Sequence, residues 1–142
     1  MENITRRYKM RHNDYDSDEE FPLWIKDDKL YDAMKEVFDF LDSLYIHVKH
    51  DWACCRTCGH YELKKELEED YDVELDEMDY VFYHNQESDR LREGAKKCYI
   101  QYRLTEETKK KVVEYAALPH THLHWDGDED KTMIISPYPV TD

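Results

Sequence analysis

The chain has 142 residues and a formal net charge of −14. That length fits one domain with its own core, able to bury roughly two thirds of its unfolded surface without staples. Hydrophobic residues reach 40% and tyrosine alone contributes 12, which excludes wholesale disorder despite the charge. An acidic surface repels phosphate backbones and anionic lipid. It argues against direct nucleic-acid or membrane binding and suits a basic protein partner. No apolar run approaches the roughly 18 residues of a membrane span, and no apolar signal stretch opens the chain. A soluble, cytoplasmic protein is the expectation, and in a reducing compartment clustered cysteines serve as metal ligands or reactive thiols rather than as a disulfide framework.

Residues 1–20 read as a flexible charged tail, basic at Arg6, Arg7, Lys9 and Arg11 and acidic from Asp14 to Glu20. Residues 21–142 read as a single α+β domain. Its first helix is marked by Leu30, Met34, Val37, Phe38, Leu41, Leu44 and Tyr45, one face of a 3.6-residue period, with Asp27 and Asp28 at its start. Residues 46–53 then alternate as a strand, with Ile46, Val48, His50 and Trp52 sharing one face. A charged helix over 61–70 follows, with Leu63 and Leu67 on a surface-lying stripe. A second strand covers 80–84, and 86–93 is a turn or short helix closing at Gly94. A third strand covers 97–104. Thr105 caps the next helix, which Pro119 ends. Residues 120–126 and 132–136 form a hairpin around Gly127. The order predicts an antiparallel sheet of about five strands with helices packed on it.

The stretch joining the first strand to the charged helix carries the chemistry. It reads Asp-Trp-Ala-Cys-Cys-Arg-Thr-Cys-Gly-His from Asp51 to His60. Cys55 and Cys58 have zinc-knuckle spacing, since two thiolates two residues apart reach one tetrahedral ion at about 2.3 Å each. Gly59 lets the backbone turn tightly beside them. There is no second C-x-x-C, so further ligands have to come from Cys54, His60, His84 or His47. The same pair at a strand-to-helix junction suits redox or nucleophilic chemistry, because a helix N-terminus lowers a thiol pKa. Against this, the βαβ opening of a thioredoxin-like fold is not read here. A third reading makes the cysteines small packing residues. All three stay open on the residues alone.

Other candidates are weaker. His84 ends the second strand as a ligand or a base, with Gln86 and Glu87 placed to orient it. His120, His122 and His124 alternate on one strand face, which suits a metal but suits a solvated face better. Asp126, Asp128 and Asp130 resemble the start of a calcium loop, but the twelfth position is Pro137. They read as turn residues. There is no phosphate-binding glycine loop, nucleophile elbow or H-E-x-x-H.

Taken together, Leu41-Asp42, Cys54-Cys55-Arg56-Thr57-Cys58-Gly59, Tyr83-His84-Asn85-Gln86-Glu87, Trp125-Asp126-Gly127 and Met133-Ile134-Ile135 resemble an uncharacterised, mostly bacterial domain family. Its motifs are C-C-x-x-C-G, Y-H-x-Q-D and W-x-G. The chain departs at Glu87, where that pattern has Asp. The resemblance implies a shared fold and a site combining Cys54, Cys55, Cys58 and His84, and it implies no reaction. The resulting expectation is a small acidic protein-binding module with a Cys/His site suited to zinc. The alternative is a thiol-dependent enzyme or redox protein using Cys54, Cys55 and Cys58 with His84.

Overall fold

The computed structural model describes residues 25–138. The expected tail over residues 1–20 lies outside them. The elements run α1 (Asp28–Ser43), β1 (His47–Lys49), α2 (Arg56–Tyr71), a short 3-10 turn (Leu75–Glu77), β2 (Tyr80–Phe82), α3 (Asn85–Arg92), β3 (Cys98–Arg103), α4 (Glu106–Ala116), β4 (Leu123–His124) and β5 (Met133–Ile135). The α+β class holds, with a five-stranded sheet in the order β1-β2-β3-β5-β4.

The sheet is mixed rather than antiparallel. β1 and β2 run parallel, with His47 opposite Tyr80 and Lys49 opposite Phe82, while the other three pairings are antiparallel. The cause is α2. Parallel neighbours need a crossover of a dozen or more residues, and α2 supplies it. β1, α2 and β2 therefore form the βαβ unit that the sequence did not reveal.

α1 covers one sheet face. Asp27 accepts a hydrogen bond from the Leu30 amide at 2.9 Å and so caps the helix. Leu30, Met34, Val37, Phe38 and Leu41 are buried against Val48, Val81, Tyr83, Ile100, Met133 and Ile135. From Leu30 to Leu41 the predicted apolar stripe and the observed core face coincide, because a 3.6-residue period leaves one face to bury; Leu44 is the C-cap and Tyr45, with φ 64°, lies past the helix end.

α2 covers the other face and is more than a surface helix. Leu63 and Leu67 are fully buried with Met78, Tyr80 and Phe82 in a second core. Gly59, one turn earlier, lies directly over the Phe82 ring, and any side chain there would overlap that ring. The helix approaches β2 this closely because residue 59 has no Cβ.

The first strand is shorter than its alternation suggests. His47↔Tyr80 and Lys49↔Phe82 would continue as Asp51 opposite His84. Instead the Trp52 amide bonds Tyr83 O and the Ala53 carbonyl accepts from the Asn85 amide, each at 2.9 Å. Asp51 is bulged out of the ladder, and both it and Ala53 have left-handed backbone (φ 52° and 66°). The bulge breaks the alternation. His50 stays on the α1 side against Phe38, while Trp52 turns to the α2 side and joins the second core.

Gly59→Ala gains about 1 kcal/mol of helix propensity but forces a methyl group into Phe82. Overpacking of this kind costs about 1–3 kcal/mol. Urea unfolding should place the variant below the wild type, and equal or higher stability would refute the close approach.

Candidate metal centre

Three cysteines converge at the start of α2. Cys55 is the N-cap residue, with extended backbone (φ −159°, ψ 175°), and its carbonyl accepts the first helical bond from the Gly59 amide at 2.9 Å. Cys58 lies at the third helical position, where side chains face the cap. Cys54 precedes the cap and is exposed, while Cys55 and Cys58 are half-buried. The predicted helix thus begins earlier than its charged stretch, and the knuckle is its first turn rather than a preceding loop.

The bulge sets this turn in place. The Asn85 side chain donates to the Asp51 carbonyl at 3.1 Å and to its carboxylate at 2.6 Å. Arg92 approaches the same carboxylate at 3.6 Å. The Trp52 indole donates to the Gly59 carbonyl at 3.2 Å, and the Lys49 ammonium lies 4.3 Å from the indole ring. No motif announced Asp51, Trp52 or Asn85 as positioning residues. Asp51 and Trp52 continue the sequence alternation of residues 46–53, so the bulge there left no mark in the sequence.

The sulfurs of Cys54 and Cys55 are 3.6 Å apart, and all three lie within 4.8 Å of one another. A tetrahedral ion with bonds of about 2.3 Å sets its sulfurs about 3.8 Å apart. The trio is therefore close to the spacing that a single ion requires, and the donor set suits a thiophilic one. Electrostatics separate the thiols. The Cys58 amide faces Cys55 Sγ without closing a full cap bond and, with the neighbouring thiols, holds the Cys55 pKa below its ordinary value. The thiols of Cys54 and Cys55 push Cys58 up to about 11. Cys98, the fourth cysteine, is fully buried on β3, and burial raises its pKa well above the usual thiol range.

The histidine candidates scatter. Among the described residues, the group of ligand atoms within metal-binding reach is the cysteine trio alone. His47 faces Glu66 at 3.5 Å, and Glu66 lies eight residues beyond Cys58, about 12 Å along the helix. His60 bonds the Tyr80 hydroxyl at 2.6 Å. Burial, then the charges of Lys64, Arg56 and Arg103, lowers its pKa to about 4. His124 bonds the Ser136 carbonyl at 3.2 Å, His122 faces Glu36 at 3.7 Å and His120 is exposed with φ 71°. The alternating histidines do not share a strand face, because β4 spans Leu123–His124 alone. The aspartates of the Gly127 turn hold the turn: Asp126 accepts from the Asp128 amide and Asp128 from the Asp130 amide.

His84 stands opposite the bulge and caps α3, its Nδ1 accepting from the Glu87 amide at 3.2 Å. An accepting Nδ1 puts the ring proton of the neutral imidazole on Nε2. In that state His84 donates a hydrogen bond through Nε2 and offers neither nitrogen to a metal. Glu87 does not orient it. The Glu87 carboxylate is buried, where it accepts two bonds from Arg90 at 2.8 and 2.9 Å and one from the Tyr99 amide at 2.9 Å. The longer carboxylate at this position ties α3 to β3.

The family model for a domain of unknown function, DUF6891, matches residues 14–139. The chain belongs to that family. No curated protein and no solved structure matches it. Among the described residues, no helix is long and apolar enough to cross a membrane.

Two substitutions separate capping from packing. His84→Ala should cost on the order of 1 kcal/mol, the scale of a lost N-cap. Glu87→Ala leaves the Tyr99 amide without its carboxylate and should cost about 1–3 kcal/mol. Chemical denaturation checks both, and a neutral Glu87→Ala would refute its anchoring role.

Proposed function

We propose that this domain is a small acidic binding module whose Cys54–Cys55–Cys58 corner takes one zinc ion. The observation that carries the reading is the convergence of three sulfurs within 4.8 Å at the first turn of α2. Thiolate donors favour zinc over hard cations such as magnesium or calcium. The ion supplies a Lewis-acidic centre and draws the three thiols into their deprotonated form. Three thiolates would leave a four-coordinate zinc one further ligand to find. His84 fills that position only by giving up its cap, so we assign it to a donor other than the histidines of the described residues. The acidic surface suits a basic protein as the partner.

The ligands span five residues, from Cys54 to Cys58. An ion there closes a very short loop and cross-links no distant parts of the fold. The two cores on either side of the sheet do not depend on it. Its contribution to stability is therefore small, unlike that in a zinc finger, where metal binding is the folding free energy.

The competing reading is a thiol-dependent activity with Cys55 as nucleophile. It is favoured by the split between a lowered Cys55 and a raised Cys58 at the N-terminus of a βαβ crossover helix. His84 does not serve as its base while Nδ1 holds the Glu87 amide.

Elemental analysis and native mass spectrometry of reduced, untagged protein separate the two. The metal reading predicts one zinc per chain, removed by chelator with the fold retained, and cysteines protected from alkylation until chelation. His84→Ala should keep the zinc, whereas Cys55→Ser and Cys58→Ser should lose it. A folded, metal-free wild type with one fast-alkylating cysteine would refute the metal reading and favour the thiol one.

A further inference from the structure

The three-cysteine corner combines two features that a sealed structural zinc site lacks. Its sulfurs lie at the surface, with Cys54 exposed and Cys55 and Cys58 half-buried. Two of the three also occupy helix positions that face each other, the N-cap and the third residue of α2. The sulfurs are close enough for small side-chain rotations to join two of them. Cys54 and Cys55 are nearer, at 3.6 Å, but a bond between adjacent residues closes a very small ring and strains the peptide between them. Cys55 and Cys58 are free of that constraint. Around them, the first turn of α2 is held by the Trp52–Gly59 bond and by Gly59 against Phe82. A change at the sulfurs therefore does not require the helix to move. Cys98 is on the other face of the sheet, fully buried in the main core, and is shielded from reagents that reach the corner.

We infer that the corner is an oxidation-gated metal site, in which a peroxide joins Cys55 to Cys58 and releases the ion. The inference rests on the zinc reading above. One thiolate sulfur attacks the peroxide, displaces hydroxide and becomes a sulfenic acid. The second sulfur attacks that sulfenic acid, forming the disulfide and displacing hydroxide, which leaves as water after protonation. Two thiolates, one hydrogen peroxide and two protons give one disulfide and two waters. The peroxide is reduced and the two sulfurs supply the two electrons. Disulfide sulfurs are poor zinc ligands, and Cys54 alone does not hold the ion, so zinc departs as the divalent cation. A thiol reductant restores both thiolates and with them the site.

The test uses the full chain, reduced and loaded with zinc, titrated with hydrogen peroxide. Released zinc is followed with a chromogenic chelator and the cysteines by peptide mapping. Complete loss of zinc in step with a Cys55–Cys58 disulfide, reversed by a thiol reductant and with Cys98 still reduced, is the expected result. Cys54→Ser should still form the same disulfide. Cys58→Ser should carry Cys55 beyond sulfenic acid, out of reach of the reductant. A zinc-loaded protein that keeps its zinc under peroxide, or that links Cys54 instead, overturns the gating while leaving the metal site standing. A reduced protein that takes up no zinc refutes the metal reading itself and the gating with it.

Discussion

The site depends on one close contact, that of Gly59 with the Phe82 ring. It brings the first turns of α2 down onto β2, and Leu63 and Leu67 continue the same seam into the second core. The Trp52 indole locks the turn from the other side through the Gly59 carbonyl. With the helix fixed at this end, its N-cap and third residue have a defined place above the end of the sheet. Both are cysteines. Cys54 precedes the cap, and its sulfur lies 3.6 Å from that of Cys55. Function at this corner follows from packing that would be ordinary anywhere else.

Local periodicity was readable and chain direction was not. Asp27 and the stripe from Leu30 to Leu41 identified α1, because one helix burying one face leaves a clear period. β3 was equally clear, since Cys98, Ile100 and Tyr102 face the main core in alternation. The parallel pairing of β1 and β2 was hidden, because a strand of three residues carries no mark of its direction. Leu63 and Leu67 looked like a surface stripe because nearly everything around them is charged. Two leucines and a glycine are enough to bury a helix when the surface beneath is Tyr80 and Phe82.

The site was legible in its cysteines and much less so in its histidines. Cysteines at positions 54, 55 and 58 stay close in any helical start, so sequence spacing carries over directly into space. Histidines reach such a cluster only through tertiary structure. His47, His60, His122 and His124 each find another partner. His84 has a ring nitrogen taken by a helix cap. Glu87 shows the same limit. A carboxylate next to a candidate base looked like its orienting partner, yet it turns the other way, to Arg90 and the Tyr99 amide.

The central claim is that three sulfurs, and no histidine among the described residues, bind one ion. X-ray absorption at the zinc edge of the reduced, metal-loaded protein tests it most directly. The account predicts a first shell of three sulfurs at about 2.3 Å with one lighter donor. That shell should be unchanged in His84→Ala. A shell with two or fewer sulfurs, or an imidazole signature that disappears in His84→Ala, would contradict it.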